Sequence, residues 1–594
     1  MRSGGYLPIR DYAAIGDGRT AALVGRDGAI DWLCLPDLDS PSVFAALLDE
    51  GRGGRFVLAP AVPFDAVRRY LPDTNVLETT FTTGEGSVRL TDALTLPTGG
   101  LSPYRELARR VDGVSGHVPL SWRVEARFDY GGPSPFVLRG GVPIAARGAD
   151  ALAVLSWDAG TVELDAAGAR GVFTTAPGSS SLLVLSAAHQ EPLVFSTRNE
   201  AEARLRATAE RWRDWAAGRA YDGPWRDAVV RSALALKLLV FAPSGAIAAA
   251  VTTSLPEEIG GGRNWDYRFS WPRDAAFTLQ ALLSLGCGRE ARAFFSWLLH
   301  ASQLTHPRLH VLYRLDGRTQ ADETELQLAG YRGSQPVRVG NGAAEQLQLD
   351  VYGEVVAAAA LFARFAGGLD RDHARRIAEI ADLVCDLWHE PDAGIWEVRS
   401  EGAHFTQSKM MCAVALDRAA DLAEAGHLPA NRLERWRAES GRVREFVETR
   451  CWSEAHASYT RAAGDDTVDA SLLLAVLAGY DEAGSPRLRA TVDAVRRELA
   501  DGALVRRYVG HDGLAGEDGA FVACSFWLAE ALARQGRISE ATELMDELVA
   551  LGNDVGLYAE EIDPGTGDFL GNFPQGLSHL ALINAATAIA GAAR

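Results

Sequence analysis

The pattern of apolar and polar positions divides the chain into two parts. In residues 1–195, short runs of alternating apolar and polar residues are separated by Gly, Pro and Asp. Such runs occupy 79–83, 88–91, 151–157 and 182–185. A period of two with turns at this spacing indicates antiparallel β-strands. We therefore predict a β-sandwich for the first part of the chain.

From about Ser196 the spacing of apolar residues changes to that of amphipathic helices. A charged helix is predicted first, over 200–218, and its Trp212 and Trp215 are suited to dock between two domains. Twelve helical segments follow, predicted at 225–241, 272–287, 289–303, 343–367, 371–389, 407–425, 428–451, 468–481, 485–500, 519–535, 537–551 and 575–592. The second part of the chain is therefore predicted to be all-helical.

The connections between these twelve helices alternate between long and short. Helices that run up and down place alternate connections at opposite ends, so the long connections should all meet at one end. Twelve such helices close most simply into a double ring of six inner and six outer helices. A solenoid of helical hairpins is the alternative, but no fixed-length repeat supports it. The long connections are 242–271, 304–342, 390–406, 452–467, 501–518 and 552–574.

The fold class that follows is α+β with several domains. We predict a β-sandwich domain over 1–195, a linker helix over 196–221 and a helical domain over 222–594. The length of 594 residues suits two domains, and 47% hydrophobic with 23% charged residues is typical of globular proteins.

Charge and cysteine content limit the partners and the compartment. A net charge of -19 argues against nucleic acid or an anionic membrane as a partner. No apolar run of about 18 residues and no apolar leader segment is present, so we expect a cytoplasmic protein. The six scattered cysteines are expected to be buried free thiols. A homo-oligomer is compatible with the sequence, and neither a metal nor a cofactor is predicted.

The first long connection carries a dense group of aromatic and charged residues. Pro272 suits the first turn of a helix, which would place the following Arg and Asp at the helix N-terminus. Aromatic rings pack on the faces of a sugar ring, while carboxylate and guanidinium groups bind its hydroxyls. A helix N-cap with a salt bridge is the alternative. The candidate sugar-binding residues are Trp265, Asp266, Tyr267, Trp271, Arg273 and Asp274.

Two further long connections carry candidate catalytic carboxyl groups. Glu397 follows Trp396 in a stretch predicted to be strand-like, where desolvation would raise the pKa of Glu397 and keep it protonated as a general acid. The alternative is a surface Glu that pairs with Arg399 in a hairpin. In the last connection, either Glu560 or Glu561 should face inward, because neighbours in an extended chain point opposite ways. A solvated acidic turn is the alternative there.

Other residues of the long connections are accessory candidates, although each alone is more readily explained as structural. Asp350 and Tyr352 could lie at the rim of the site, Arg507 lies in the fifth connection, and Lys409 begins the helix after the third. No P-loop, HExxH or nucleophile-elbow motif is present.

Several of these motifs together resemble the bacterial members of glycoside hydrolase family 15, the relatives of glucoamylase, glucodextranase and actinobacterial trehalases. The resemblance covers nearly the whole chain, through the segments 9–34, 263–274, 394–397, 560–563 and 571–575. It implies an N-terminal β-sandwich followed by an (α/α)6 barrel. It also implies inverting hydrolysis of α-glucosides from a non-reducing end, with release of β-glucose.

The resemblance also implies roles for individual residues. Glu397 matches the family's general acid, and Glu560, rather than Glu561, matches its general base. Arg273 and Asp274 match the pair that binds the 4- and 6-hydroxyls of the terminal glucose. The remaining matches are Tyr267, Trp271, Trp396 and Arg507.

Two departures from the family pattern leave the substrate open. Ala413 stands where an aromatic residue is common, and Asp37 where a basic residue is common, in a segment expected at the rim of the site. The substrate is expected to be trehalose or a short α-glucan such as maltose, isomaltose or dextran. A glucoside phosphorylase and a non-catalytic sugar-binding protein are the other hypotheses.

Overall fold

The computed structural model describes residues 2–97, 104–510, 516 and 518–592. Its N-terminal part consists of antiparallel strands in two sheets. The strands are β1 (Tyr12–Gly16), β2 (Ala21–Gly25), β3 (Ala29–Cys34), β4 (Ser42–Phe44), β5 (Phe56–Pro60), β6 (Phe64–Tyr70), β7 (Leu77–Thr83), β8 (Gly86–Leu94), β9 (Glu106–Gly116), β10 (Pro119–Val124), β11 (Val137–Arg139), β12 (Val142–Arg147), β13 (Asp150–Trp157), β14 (Glu163–Leu164), β15 (Ala169–Thr174) and β16 (Ser180–His189).

The two sheets pack face to face, which confirms the predicted β-sandwich. One sheet has the order β1-β2-β3-β5-β10-β15-β14, with β4 beside β3, and the other has the order β11-β12-β13-β16-β9-β8-β7-β6. Leu58 and Trp122 of the first sheet share an apolar core with Phe81 of the second. Within this core Arg109 Nε donates to Asp92 Oδ1 at 2.8 Å, and both side chains are fully buried.

Helices make up most of the second part of the chain. They are α1 (Arg198–Ala217), α2 (Arg226–Leu239), α3 (Ala275–Ser284), α4 (Gly288–Ala301), α5 (Asp350–Ala366), α6 (Arg371–Leu387), α7 (Thr406–Glu424), α8 (Leu433–Arg450), α9 (Leu474–Ala478, preceded by the 3-10 turn Ala470–Leu473), α10 (Pro486–Leu499), α11 (Val522–Arg534), α12 (Ile538–Ala550) and α13 (Gly576–Ala592).

Helices α2 to α13 close into a double ring. The inner helices α3, α5, α7, α9, α11 and α13 contact one another in that order, and α13 returns to contact α3. The even-numbered helices pack outside them, α4 on α3, α6 on α5, α8 on α7 and α12 on α11. The inner helix α13 is buried along nearly its whole length, as expected for a helix enclosed on all sides. The predicted (α/α)6 barrel is confirmed.

Short antiparallel strands lie in the long connections of the barrel. They are β17 (Thr253–Pro256) with β18 (Asn264–Asp266), β19 (Thr324–Leu326) with β20 (Val337–Val339), β21 (Trp452–Ser453) with β22 (Ser458–Tyr459), β23 (Ala500–Asp501) with β24 (Leu504–Val505), and β25 (Ala520–Phe521) with β26 (Glu561–Ile562) and β27 (Phe569–Leu570).

Helix α1 joins the sandwich to the barrel. Trp212 is 3% exposed and packs against Leu182 of β16 and Leu234 of α2. Trp215 Nε1 donates to Glu290 Oε1 of α4 at 2.8 Å. Both tryptophans thus dock between the two parts of the chain, as expected. The division at 1–195, 196–221 and 222–594 stays a prediction.

Among the predicted helix boundaries, one start differs most from the structure. The helix predicted at 343–367 begins only at Asp350, because the residues before it serve the long connection. Leu349 N–H donates to Asp392 Oδ2 at 3.0 Å, and Gln346 Nε2 donates to Val398 O at 3.2 Å. These contacts with the third connection replace the first helical turns.

In the described residues, the state of the cysteines and the apolar content of the helices are those predicted from the sequence. All six cysteines are buried free thiols. Within the described ranges, none of the helices combines the length and the apolar composition that a membrane crossing requires.

Candidate active site

A pocket opens at the end of the barrel where the long connections meet. The space between its walls, including the solvent at its open mouth, amounts to about 750 Å³. The first, third and fifth connections and the inner helices α3, α11 and α13 supply its walls. The lining residues are Glu257, Arg263, Trp265, Tyr267, Arg273, Asp274, Phe277, Ile395, Trp396, Glu397, Arg399, Arg507, Tyr508, Phe521, Trp527 and Leu577.

Some predicted site residues lie in this pocket, and others lie directly behind it. Those that line it are Trp265, Tyr267, Arg273, Asp274, Trp396, Glu397 and Arg507. Trp271 is 4% exposed and donates from Nε1 to Glu397 Oε1 at 2.8 Å. The Tyr267 ring packs edge-on against Trp271, with centroids 5.3 Å apart. Burial and the neighbouring Glu560 carboxylate raise the pKa of the Tyr267 hydroxyl.

Five predicted site residues do not line the pocket, namely Trp271, Glu560, Glu561, Asp266 and Lys409. Asp266 is 1% exposed and accepts from Arg268 Nη2 at 2.7 Å. Lys409 is fully buried, and its Nζ donates to Glu390 O at 2.5 Å. The side chains of Asp266 and Lys409 therefore stabilise the connections and do not face the pocket.

The Arg273–Asp274 pair stands at the N-terminus of α3. A 3-10 turn over Pro272–Asp274 leads into the helix, as Pro272 predicts. Arg273 Nη1 donates to Ile395 O at 2.6 Å and to Glu397 Oε1 at 3.0 Å. Burial raises the pKa of Asp274 to about 6, against the opposing effect of Arg273. A cation and a carboxyl group thus lie side by side, ready to bind sugar hydroxyls.

Glu397 lies in a turn, so the predicted strand is wrong. Its N–H donates to Gly394 O at 3.2 Å, and its φ is +57°, a region that non-glycine residues rarely adopt. Such strain is common at functional sites, where the surrounding structure maintains it. The expected apolar setting is also wrong, since Trp271 and Arg273 both contact Oε1. Among the described residues these donors leave Oε2 as the oxygen available to a ligand.

Glu560 is buried on the far side of Tyr267. It is 1% exposed, its Oε2 accepts the Asn572 N–H at 3.3 Å, and its Oε1 has no hydrogen-bond partner among the residues described. Burial and the negative charge of Glu257 raise the pKa of Glu560 above its ordinary value. A Cβ at Gly571, where φ is +70°, would lie 2.4 Å from Glu560 Oε2, so glycine is required there.

Glu561 diverges from Glu560, as neighbours in an extended chain should. Glu561 is nevertheless buried too, and it belongs to a cluster around Arg507. Arg507 Nη2 lies 2.7 Å from Glu257 Oε2, 2.6 Å from Asp518 Oδ2 and 3.1 Å from Glu561 Oε1. These three carboxylates are close enough to hold a metal ion, but the guanidinium occupies the position between them. The positive charge of Arg507 therefore offsets the negative charge of these carboxylates.

Two family models match the sequence of this chain. The family model described as "Glycosyl hydrolases family 15" matches residues 223–587, and the model described as "Trehalase-like, N-terminal" matches residues 4–137. The chain belongs to glycosyl hydrolase family 15. It is therefore a glycoside hydrolase.

Similar family 15 members include proteins named trehalase. The chain is 40% identical to the trehalase of Mycolicibacterium smegmatis, over 98% of this chain and 91% of that protein. It is 35% identical to the trehalase of Thermoplasma volcanium, over 98% of this chain and 93% of that protein. The crystal structure of a bacterial glucoamylase complexed with acarbose has a TM-score of 0.71 at 14% identity, covering 98% of this chain and 94% of that chain. This likeness extends the shared fold to the sandwich and the barrel together.

Several residues expected near the rim of this family 15 site lie elsewhere. Asp350 and Tyr352 are buried in the inner helix α5, and burial raises the pKa of Asp350 to about 7. Asp37 pairs with Arg19 Nη2 at 2.8 Å and does not line the pocket. Ala413 is fully buried within α7 and does not line the pocket.

The pocket also contains residues that were not predicted. Phe277 and Trp527 lie on inner helices and stack with centroids 5.9 Å apart, and Trp527 lies 6.3 Å from the Trp396 ring. Their positions follow ordinary helical periodicity, so the sequence gives no signal that they face the pocket. Glu257 and Arg399 lie in long connections already selected as functional, and their charge could have identified them.

Proposed function

We propose that this family 15 hydrolase cleaves trehalose with inversion of configuration. The similarity to proteins named trehalase over 98% of the chain supports trehalose over maltose and isomaltose, which are the alternative substrates. The observation that carries the proposal is the setting of Tyr267. Its ring lines the pocket, and burial together with the neighbouring Glu560 and Glu397 carboxylates raises its pKa. Two carboxyl groups thus lie near one aromatic residue of the pocket.

In the proposed mechanism, Arg273 and Asp274 hold the terminal glucose by its hydroxyls. Glu397 donates a proton to the glycosidic oxygen as the bond from that oxygen to C1 breaks. Glu560 takes a proton from a water molecule whose oxygen attacks C1 from the opposite face. The attacked glucose is therefore released as the β-anomer, and the other glucose takes the proton on its C1 oxygen and leaves as the α-anomer. The unpartnered Oε1 of Glu560 is the atom that accepts the proton from water.

The other two hypotheses are less well supported. A phosphorylase replaces the activated water with phosphate and needs no carboxylate base. The cation near Glu560, Arg507, already contacts Glu257, Asp518 and Glu561, so it does not offer an anion site. A non-catalytic sugar-binding protein needs neither Glu397 nor Glu560.

We also propose the compartment in which the protein acts, but no particular oligomeric state. Six buried cysteines without a disulfide suit a reducing compartment, so we propose that the protein acts in the cytoplasm. A homo-oligomer is compatible with the charge and composition of the chain.

Product analysis by proton NMR tests the proposed reaction. Trehalose contains two α-linked glucose units, so inversion should release one β-glucose and one α-glucose, visible before mutarotation equalises the anomers. The full-length protein should prefer trehalose over maltose, isomaltose, dextran and starch. A Glu397→Gln preparation is the control for contaminating glucosidases. Release of α-glucose alone, preference for another α-glucan, or consumption of phosphate with each cleavage would each contradict the proposal.

A further inference from the structure

We propose that Arg399 binds hydroxyl groups of the leaving sugar, the second sugar whose oxygen Glu397 protonates. Arg399 would thereby make the enzyme selective for a disaccharide over a glucoside with a non-sugar leaving group. This inference rests on the proposed function and extends it to the part of the pocket beyond the scissile bond.

The position of Arg399 along the chain places it beside the bond that breaks. It lies two residues after Glu397 in the same connection, and both residues line the pocket. Glu397 acts on the oxygen between the two sugars, so groups on either side of it contact different sugars. Arg273 approaches Glu397 from the N-terminus of the inner helix α3. Arg399, of the third connection, lies instead on the side of the second long connection, which supplies Glu323.

The contacts of Arg399 confirm that it belongs to this outer side. Arg399 Nη2 lies 3.8 Å from Glu323 Oε2, and a Cβ at Gly342 would lie 3.0 Å from Arg399 Nη1. The Arg399 side chain is 28% exposed, compared with 15% for Arg273. Arg273 therefore faces the barrel interior, and Arg399 faces the pocket mouth where a second sugar would lie.

The Arg399 guanidinium packs on the Trp265 ring, and its N–H groups remain available to bind a ligand. Its Cζ lies 4.9 Å from the centre of the Trp265 ring, a cation–π distance that fixes the plane of the group. The separation of 3.8 Å from Glu323 is longer than a hydrogen bond. Among the described residues, none accepts a hydrogen bond from this guanidinium. A planar fork of N–H donors suits two adjacent hydroxyl oxygens.

Arg338 provides a matched contrast on the same tryptophan. Its Cζ lies 4.7 Å from the centre of the Trp265 ring, but its Nη1 donates to Gly262 O at 2.9 Å and to Asn264 O at 3.2 Å. Arg338 does not line the pocket. It therefore stabilises the first connection, whereas Arg399 has donors left for a ligand.

Two substrates distinguish a residue that binds the leaving sugar, as proposed for Arg399, from one that stabilises a connection, as proposed for Arg338. Trehalose and α-glucosyl fluoride share the terminal glucose, but the fluoride has no second sugar. Arg399→Gln should lower kcat/KM for trehalose by about 10- to 100-fold, the size expected for a lost charged hydrogen bond, and leave kcat/KM for the fluoride nearly unchanged. Arg399→Lys should give an intermediate loss, since it keeps the charge and loses the fork. Arg338→Gln should change both substrates by the same factor.

The fluoride activity also reports whether each variant is folded. Equal losses on both substrates in Arg399→Gln, or no loss on either, would overturn the role of Arg399. A wild-type protein that cleaves the fluoride and no disaccharide would overturn the proposed function and this inference together. If the wild-type protein prefers a disaccharide other than trehalose, the same ratio is measured with that disaccharide, and only the choice of trehalose fails.

Discussion

The carboxyl groups of Glu397 and Glu560 have unlike surroundings. Glu397 contacts the Arg273 guanidinium and the Trp271 N–H, whereas Glu560 is buried and its pKa is raised. Surroundings alone would favour Glu560 as the acid. The sequence motif instead gives that role to Glu397. A bound glucose competes with Glu397 for Arg273, so the surroundings of Glu397 change during the reaction.

The leaving group can separate these two roles. Fluoride departs without a proton from the enzyme, so α-glucosyl fluoride needs the base and not the acid. Glu397→Gln should lower kcat on trehalose by several orders of magnitude and keep most activity on the fluoride. Glu560→Gln should lose activity on both substrates. Initial rates on both substrates measure this, and the reverse pattern would exchange the two roles.

The pH dependence should respond to Glu257. The negative charge of Glu257 raises the pKa of Glu560, which must be ionised to act as base. Glu257→Gln removes that charge and leaves Arg507 with fewer carboxylate partners, and both changes lower the pKa of Glu560. The acidic limb of the kcat/KM profile should therefore move to lower pH.

The neighbouring Glu258 offers the control for this pH experiment. Glu258→Gln removes the same charge from the same connection, but Glu258 is absent from the groups that shift the pKa of Glu560. Its profile should match that of the wild-type protein. An acidic limb that stays in place or moves to higher pH in Glu257→Gln would contradict the assigned coupling.

At the scale of the elements, the order of helices was more predictable than their ends. The alternation of long and short connections depends only on the number and order of helices, so it tolerates boundary errors. Helix α5 begins at Asp350 instead of residue 343, because tertiary contacts of Gln346 and Leu349 override helix propensity. The turn at Glu397 was missed for a similar reason, since its left-handed backbone is imposed by the surrounding contacts.

In the candidate site, residues of the connections were more predictable than residues of the helices. Residues supplied by the connections themselves, such as Tyr267, Arg273 and Glu397, were predicted and lie in the pocket. Lys409 was predicted as well, but as the fourth residue of α7 it contacts Glu390 O away from the pocket. Phe277 could not be predicted, because the face that an inner helix turns to the pocket depends on how the ring closes.

At the scale of the whole molecule, the sandwich packs against the long connections of the barrel. Trp32 Nε1 in the sandwich donates to Val251 O at 3.0 Å, in the first long connection. Arg68 Nη2 pairs with Asp554 Oδ1 at 2.7 Å, in the last connection. One buried apolar cluster runs through both parts. The two parts are therefore expected to unfold together, in a single transition.

Trp212 tests this coupling because it packs between the sandwich and the barrel. Trp212→Ala should lower the free energy of unfolding by about 3–5 kcal/mol, the usual cost of removing a buried tryptophan, and calorimetry should still show one transition at a lower temperature. Trp452→Ala, in a partly exposed hairpin, is the control and should cost less. Trp212 does not line the pocket, so kcat on trehalose should be retained well below the transition. Two separate transitions in the wild-type protein would contradict a shared core, and an unchanged Tm in Trp212→Ala would show that α1 does not couple the two parts.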